Sequence, residues 1–176
     1  MINKKDNGQE YLDFIPIEEE DLDSFQPIAG SYAVIKVNGD FLLCFNKWRD
    51  QWELPAGKRE KNETILDCAF RELFEETGQM PDELNFLGLM KVRKEDGSVK
   101  YNPVFLGEME TLHPFKENEE TTKIILWDKS CLEEPIDKVD HHLLIYLAHI
   151  WKVKMINVKD TLQFRKKHFK QHELRA

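Results

Sequence analysis

Cysteine, glycine and proline are scarce in this sequence, and long apolar runs are absent. The three cysteines form an odd, scattered set without a CxxC pair. They indicate neither a disulfide framework nor a zinc site, and a reducing compartment such as the cytoplasm suits them best. The longest apolar stretch, residues 143–151, is interrupted by His149 and falls far short of the ~20 residues that a membrane-spanning helix needs. We therefore expect a cytoplasmic protein without membrane association, since residues 1–10 also lack the apolar segment of a secretory signal.

An excess of positive charge is also lacking. The chain has 25 Lys and Arg against 33 Asp and Glu, which gives a net charge of −8. Proteins bind nucleic acid chiefly by neutralising phosphates, so we do not expect nucleic acid as a general partner. Basic residues gather only in residues 152–176, which hold eight basic and two acidic side chains. We interpret this segment as a solvated C-terminal helix that docks on the acidic body. A small basic helix that binds RNA, a membrane surface or a partner stays open, and so does a contact in a homodimer.

What the sequence does contain fits one globular α/β domain. Its 176 residues are 41% hydrophobic and 11% aromatic, enough for a single core. Two apolar runs, residues 32–37 and 41–45, flank Asn38-Gly39, which predicts a hairpin because Asn-Gly accepts positive φ. Further strands are predicted at residues 51–54, 86–92, 101–108 and 122–127, with a turn at Asp96-Gly97, one early strand before residue 27 and a helix over residues 141–153.

One helix is delimited by its own sequence signals. Thr64 is a favourable N-cap, and Gly78 is a C-terminal glycine with Pro81 just beyond it. At ~100° per residue, an apolar face and an acidic flank lie side by side on this helix. The apolar face consists of Leu66, Ala69, Phe70 and Leu73, and the flank consists of Glu72, Glu75 and Glu76.

The three glutamates of this helix point to a divalent cation. Like charges beside a buried face repel one another, and desolvation makes their ionisation costly. Mg²⁺ or Mn²⁺ prefers carboxylate oxygens and keeps other positions for water and phosphate, and a backbone carbonyl at Pro55-Ala56-Gly57 could complete the set. Taken alone, a solvated acidic helix face explains the same residues.

The spacing of residues over a longer stretch of the chain decides between a cation site and a solvated acidic face. The spacing consists of Gly57, five intervening residues, Glu63, seven intervening residues and then Arg71-Glu72-Leu73-Phe74-Glu75-Glu76-Thr77-Gly78. It resembles the Nudix box, GX5EX7REUXEEXGU. All seven fixed letters are present, a coincidence on the order of 10⁻⁶ for this composition. The one departure is Gln79, which stands where the motif has a bulky aliphatic residue.

The resemblance implies a fold, a reaction and a division of the chain. Nudix domains have a mixed β-sheet sandwiched between helices (α/β/α), and they hydrolyse a diphosphate bond in a nucleoside diphosphate linked to a group X. Residues 31–153 would form the Nudix domain, residues 1–30 an acidic N-terminal extension, and residues 154–176 a basic C-terminal helix or tail. The expected partner is therefore a small nucleotide, and the expected cofactor is Mg²⁺ or Mn²⁺.

The resemblance also implies roles for the matching positions. Glu75 and Glu76 would be metal ligands, Glu72 a ligand or general base, and Arg71 an orienting partner for the carboxylates. Glu63 would brace the loop against the helix through Arg71. Ala56 would lend its carbonyl to the metal, with Gly57 allowing the tight turn that this needs.

The residues that recognise the substrate lie outside the motif, so the motif does not identify them. In related enzymes the general base often lies on a later loop, and Glu120 is our preferred candidate there, beside Glu117 and Glu119. Arg49, Arg59 and Arg93 could meet phosphates, and Trp52 could stack on a base. We favour nucleoside triphosphates slightly over ADP-ribose or nucleotide sugars. The alternative function is a Nudix-like module that senses a nucleotide without hydrolysing it.

Overall fold

The structure is a computed structural model that describes residues 7–152 and 154. Residues up to His141 belong to one compact unit, and the residues from His142 onward belong to a second. None of the helices in the described segments has both the length and the apolar character needed to cross a membrane. The basic tail predicted for residues 154–176 lies outside the described residues, apart from residue 154, which is helical.

A mixed β-sheet forms the centre of the first unit. Within the described residues its strands are β1 (Glu10–Ile15), β2 (Ser31–Val37), β3 (Asp40–Asn46), β4 (Gln51–Glu53), β5 (Ala56–Gly57), β6 (Asn85–Arg93), β7 (Val99–Met109) and β8 (Thr121–Trp127). The main order is β1-β6-β7-β2-β3-β4, with β5 paired to β2 and β8 paired to β3. Strands β2 and β7 are parallel, and the other pairs are antiparallel. The mixed sheet, together with the helix that packs on it, confirms the predicted fold class.

The predicted hairpin joins β2 to β3. Asn38 and Gly39 have φ angles of 51° and 90°, as a turn that follows the twist of the strands requires. The two strands pair only next to this turn, at Lys36–Phe41 and Val37–Asp40. Farther from the turn β2 pairs with β5, while β3 pairs with β4 and β8, so the segment leading into the Nudix-like motif is built into the sheet.

Helix α1 (Ile65–Thr77) is the predicted motif helix. Thr64 accepts a hydrogen bond from the Asp67 N–H, and Gly78 ends the helix in the left-handed conformation with φ 69°. Its apolar face packs on one side of the sheet, as predicted. The residues in this cluster include Ala33, Ile35, Val37, Leu42, Ala69, Leu73, Leu84 and Phe105. This packing fixes α1, and with it the glutamates on its flank, relative to β2 and β5.

Several elements differ from the sequence predictions. A short 3-10 helix (Glu19–Ser24) was not predicted, and β1 is fully integrated into the sheet through pairing with β6. The last helix, α2, covers residues 138–152 and starts earlier than predicted. The reason is Asp137, whose Oδ1 accepts the N–H groups of Val139 and Asp140 and so caps the first turn.

Candidate functional site

Arg71 lies at the centre of the acidic flank of α1. Its Nε and Nη2 donate to the two carboxylate oxygens of Glu63 at 2.6 and 3.0 Å. Its Nη1 donates to Glu72 at 2.7 Å and to Glu75 at 3.1 Å, and Nη2 also donates to the Lys58 carbonyl. The Arg71 guanidinium lowers the pKa of Glu63 to about 2, and these carboxylates raise the pKa of Arg71. Arg71 therefore connects Glu63, on the loop before α1, to the carboxylates on the flank of the helix.

Glu72 lies against the backbone of Gly57. A Cβ atom at position 57 would come within 2.0 Å of the Glu72 Cδ atom. We expected Gly57 to provide conformational freedom for a tight turn, but this reason was wrong. Gly57 is part of β5 and pairs with Ser31, and only its missing side chain makes room for the Glu72 carboxylate. Burial is the main cause that raises the pKa of Glu72, and Arg71 opposes it.

Glu76, unlike Glu72 and Glu75, accepts no hydrogen bond from Arg71. Its Oε2 accepts a hydrogen bond from the Ala56 N–H at 3.1 Å and contacts the Cys44 thiol at 3.8 Å, and both donors are neutral. Burial, and next the charge of Glu120, raise the pKa of Glu76 to about 9. A partly buried acidic group beside another carboxylate is an environment that a cation stabilises.

The donor set fits a hard divalent cation in its chemistry, but the side chains do not lie in a ligand arrangement. Among the described residues, no group of three or more His, Cys, Asp or Glu side chains is arranged closely enough to hold a metal ion. Glu75 is one reason, because its side chain is 58% exposed and turned to Arg71. The carboxylates of Glu72, Glu75 and Glu76 nevertheless supply the oxygen ligands that Mg²⁺ and Mn²⁺ prefer.

Glu120 approaches the same cluster from the loop before β8. Its charge contributes to raising the pKa of both Glu72 and Glu76. The Asn46 amide donates to Glu120 Oε1 at 2.8 Å and fixes the side chain. Asn118 holds this loop, because its Oδ1 accepts the Glu120 N–H while its Nδ2 donates to the Glu75 carbonyl at the end of α1. Of the three glutamates considered on this loop, Glu117 and Glu119 are exposed.

A polar pocket of about 200 Å³ lies beside this cluster. Ala56 and Gly57 belong to its wall, so the pocket adjoins the backbone that contacts Glu72 and Glu76. Apart from Arg49, its polar residues were not predicted from the sequence. They include Tyr32, Glu53, Lys100, Asn102, Asp137 and Asp140. These positions come from four separate segments of the chain, and no local motif marks them.

The four predicted substrate-binding residues have different environments. Arg49 lines the pocket and donates to Glu53 at 2.8 Å. Arg59 is exposed on the loop before α1. Arg93, the last residue of β6, forms an ion pair with Glu10 of β1. The prediction for Trp52 was wrong, because its side chain is only 3% exposed and packs edge-to-face on Phe45. It therefore has no free face for a base.

Gln79, the one departure from the motif, is fully buried, and both polar atoms of its side-chain amide are hydrogen-bonded. Its Nε2 donates to the carbonyls of Thr77 and His113, and its Oε1 accepts the His113 N–H at 2.6 Å. The amide thus ties the segment before the Glu120 loop to the end of α1. A polar residue suits this site because it replaces the apolar contact with three hydrogen bonds.

Comparison with protein families agrees with this geometry. The family described as NUDIX domain matches residues 25–154, nearly three quarters of the chain. The chain belongs to this family. The match begins before the predicted domain boundary at residue 31 and includes most of the pocket as well as the motif helix.

Curated relatives of this Nudix chain match only a part of it. An RNA pyrophosphohydrolase of Xanthomonas campestris is 34% identical over 68 residues, which are 39% of this chain and 33% of that protein. An RNA pyrophosphohydrolase of Hydrogenovibrio crunogenus is 37% identical over 73 residues, which are 40% of this chain and 42% of that protein. The matches therefore span well under half of the relatives' length.

Solved structures share the fold over a larger part of the chain. The pyrophosphohydrolase BsRppH of Bacillus subtilis superposes with a TM-score of 0.62 at 22% identity, covering 80% of this chain and 90% of that one. A MutT protein of Bacillus halodurans gives 0.57 at 24% identity, covering 68% and 81%. The NUDIX domain of Shewanella oneidensis NrtR, complexed with ADP ribose, gives 0.56 at 18% identity, covering 78% and 99%. At these identities the likeness shows the fold alone.

Proposed function

We propose that this chain is a metal-dependent Nudix pyrophosphohydrolase that cleaves a diphosphate bond in a nucleoside diphosphate linked to a group X. The observation that carries the proposal is the cluster of Glu72, Glu76 and Glu120 beside a polar pocket, with Arg71 holding Glu72. Attack of water on a phosphoryl group needs positioning and charge neutralisation more than covalent help from the protein. A carboxylate cluster that attracts a cation supplies both.

The metal, Mg²⁺ or Mn²⁺, would be held by Glu72, Glu75, Glu76 and the Ala56 carbonyl. When bound, it neutralises phosphate charge and orients the diphosphate. Glu75 would leave its hydrogen bond to Arg71, which an exposed side chain does easily, while Arg71 keeps its two bonds to Glu63. Arg71 thus positions Glu72 without becoming a ligand.

Glu120 would accept the proton of the attacking water. Its charge contributes to the raised pKa of Glu72 and Glu76, and the Asn46 amide fixes one of its oxygens. A carboxylate with this fixed orientation beside a cation site is suited to act as a general base. Glu72 is the other candidate, but its hydrogen-bond donor Arg71 is a cation, which stabilises the ionised carboxylate and weakens it as a base, whereas the donor to Glu120 is the neutral Asn46 amide.

The substrate class proposed is a nucleotide with a triphosphate rather than ADP-ribose or a nucleotide sugar. Support comes from the curated relatives, which are RNA pyrophosphohydrolases. This support qualifies the expectation that nucleic acid is not a partner. Only the terminal nucleotide of an RNA, with its phosphates, needs to enter the site, and this needs no extended basic surface. A nucleoside triphosphate and an RNA with a 5′-triphosphate are therefore both candidate substrates.

A second candidate function is nucleotide sensing without turnover. It is favoured by one observation: among the described residues, the glutamates are not close enough together to hold a metal ion. In this case the pocket would bind a nucleotide, and the carboxylates would not assemble around a catalytic metal.

The test is release of phosphate or diphosphate from a substrate panel. The panel contains nucleoside triphosphates, oxidised guanine nucleotides, a 5′-triphosphorylated oligoribonucleotide, ADP-ribose and nucleotide sugars, each with Mg²⁺ or Mn²⁺ and with EDTA. We expect EDTA-sensitive turnover that is orders of magnitude higher in kcat/KM for one triphosphate substrate. Binding without turnover across the panel would favour the sensing function instead.

A further inference from the structure

The β2 and β7 side chains that line the polar pocket lie on the face of the sheet that is turned away from α1, while Ala56 and Gly57 of β5 join the pocket to the backbone that contacts the α1 glutamates. Ala33 of β2 and Phe105 of β7 are register partners that pack in the cluster with α1. Side chains alternate between the faces of a strand, so Tyr32 and its partner Val104 point to the other face. Asn102, two residues before Val104, shares that face and lines the pocket.

Asn102 lines this pocket and carries a hydrogen-bond donor without a partner. The residue is only 2% exposed, and its Nδ2 is a buried side-chain nitrogen without a hydrogen-bond partner, the one such atom found among the described residues. Buried polar groups in native proteins nearly always have a partner, and leaving one without costs stability. Folding gains nothing from this amide, which indicates that a bound molecule supplies the missing acceptor.

Lys100 adds a second donor on the same wall. It precedes Asn102 by two residues on β7, so both side chains project from the same face of the strand. Burial lowers the pKa of Lys100. Two neighbouring donors, one neutral and one an amine, together suit an oxygen acceptor such as a carbonyl.

The pocket also holds an acceptor for an adjacent N–H group. Asp137 and Asp140 both line it, and Asp140 is only 4% exposed. Each oxygen of Asp137 already accepts two hydrogen bonds, from the Asn7 and Gln51 amides and from the N–H groups at the start of α2. Among the described residues, Asp140 accepts only the Leu54 N–H, so its carboxyl group keeps acceptor capacity.

We propose that this pocket selects a nucleobase with a carbonyl oxygen next to a ring N–H, and that Asn102 is the residue that reads this oxygen. Guanine, hypoxanthine and uracil have this pair of groups, which matches the donors on β7 and the carboxyl group of Asp140. Adenine and cytosine carry an amino group next to an unprotonated ring nitrogen, and this amino group cannot accept from Asn102. A cavity of about 200 Å³ is large enough for one base.

This proposal rests on the proposed function for the identity of the ligand as a nucleotide, so its test separates binding from turnover. Binding of nucleoside monophosphates is measured by calorimetry in EDTA, with IMP against AMP and UMP against CMP as matched pairs. The wild type should bind the oxo member of each pair at least about tenfold more tightly, since a site built to hydrogen-bond one group rejects the analogue that lacks it.

Substitution of Asn102 identifies the reading residue. Asn102→Ala should reduce the preference to less than about threefold, because one hydrogen bond with a full desolvation penalty is lost. Asn102→Asp should reverse it, because a carboxylate accepts from an amino group and repels a carbonyl. Asn85→Ala, an exposed asparagine on β6, is the matched control and should keep the wild-type preference.

The outcomes have distinct meanings. Wild-type protein that binds both members of each pair equally overturns the proposal without any variant, and so does a preference that survives in Asn102→Ala. The unfolding midpoint of Asn102→Ala should equal or exceed that of the wild type, since the unpartnered amide is removed. Selective binding without hydrolysis would contradict only the proposed function, and hydrolysis without base selectivity would contradict only the role of Asn102.

Discussion

The guanidinium of Arg71 contacts both carboxylate oxygens of Glu63, with distances of 2.6 Å from Nε and 3.0 Å from Nη2. Two parallel hydrogen bonds of this kind fix direction as well as distance. They connect the loop after β5 to the middle of α1. Because the same guanidinium donates to Glu72, the position of that carboxylate depends on a residue eight positions before Arg71.

This pair predicts a specific loss of stability in acid. The folded-state pKa of Glu63 is about 2, below its ordinary value of 4.5. A lowered pKa stabilises the folded protein above the ordinary value, and this contribution is lost as pH falls from about 4.5 to about 2. Glu63→Gln should therefore lose stability mainly above pH 4.5 and approach the wild type at pH 2. Thermal unfolding between pH 2 and pH 7 measures this, and a constant difference across that range would contradict it.

Gly57→Ala should impair activity while sparing the fold. The added methyl would lie within 2.0 Å of the Glu72 carboxyl carbon, and the far end of that flexible side chain can move aside. Glu72 would then lose its bond to Arg71, and a displacement of about 1 Å at a reacting site costs on the order of 10²-fold in rate. We expect kcat to fall by about this factor with an unfolding midpoint close to wild type. Wild-type kcat in a folded variant would show that the Glu72 position is not needed.

Gln79→Leu, which restores the aliphatic residue of the motif, should destabilise this protein. The change leaves the His113 N–H and the carbonyls of Thr77 and His113 without their partner. An unsatisfied buried polar group costs about 1–3 kcal/mol, so denaturant unfolding should show a loss in that range. A more stable Gln79→Leu protein would mean that the segment rearranges to satisfy these groups without the amide.

Glu120→Gln tests the proposed general base against two neighbours on the same loop. Glutamine can still accept the hydrogen bond from Asn46, so the loop should keep its conformation. Loss of a general base lowers kcat by about 10²–10⁴-fold. Glu117→Gln and Glu119→Gln alter exposed side chains and should keep wild-type kcat. Equal effects of all three substitutions would argue for loop charge rather than proton transfer.

Local signals predicted the elements of the fold well. The Asn38-Gly39 turn and the Thr64 and Gly78 caps each depend on the conformational preference of one or two residues, and each is confirmed. The strands around them follow from short-range alternation. The weak early strand could not be placed from sequence because β1 gains its stability from pairing with β6, more than seventy residues away.

The site residues also fall into those that local sequence predicts and those that depend on distant strand pairing. The spacing of one motif predicted Glu63, Arg71, Glu72, Glu75 and Glu76 as a group, and the helix sets the relative positions of the last four. The pocket could not be predicted, since residues such as Tyr32, Asn102 and Asp140 meet only through strand order and register. The misassigned Trp52 shows the same limit, because the sequence alone does not tell which face of a short strand is covered.

Turnover of Glu76→Gln is the most direct test of the central claim. The side chain accepts the same hydrogen bond from Ala56 after the change, but it can no longer bind a cation as an anion. With the best triphosphate of the panel and Mg²⁺ or Mn²⁺, we predict a loss in kcat of at least about 10²-fold with an unchanged fold. Glu83→Gln, at an exposed position, should keep wild-type kcat. Full turnover of Glu76→Gln at limiting metal would contradict the assignment of these carboxylates to a catalytic metal site.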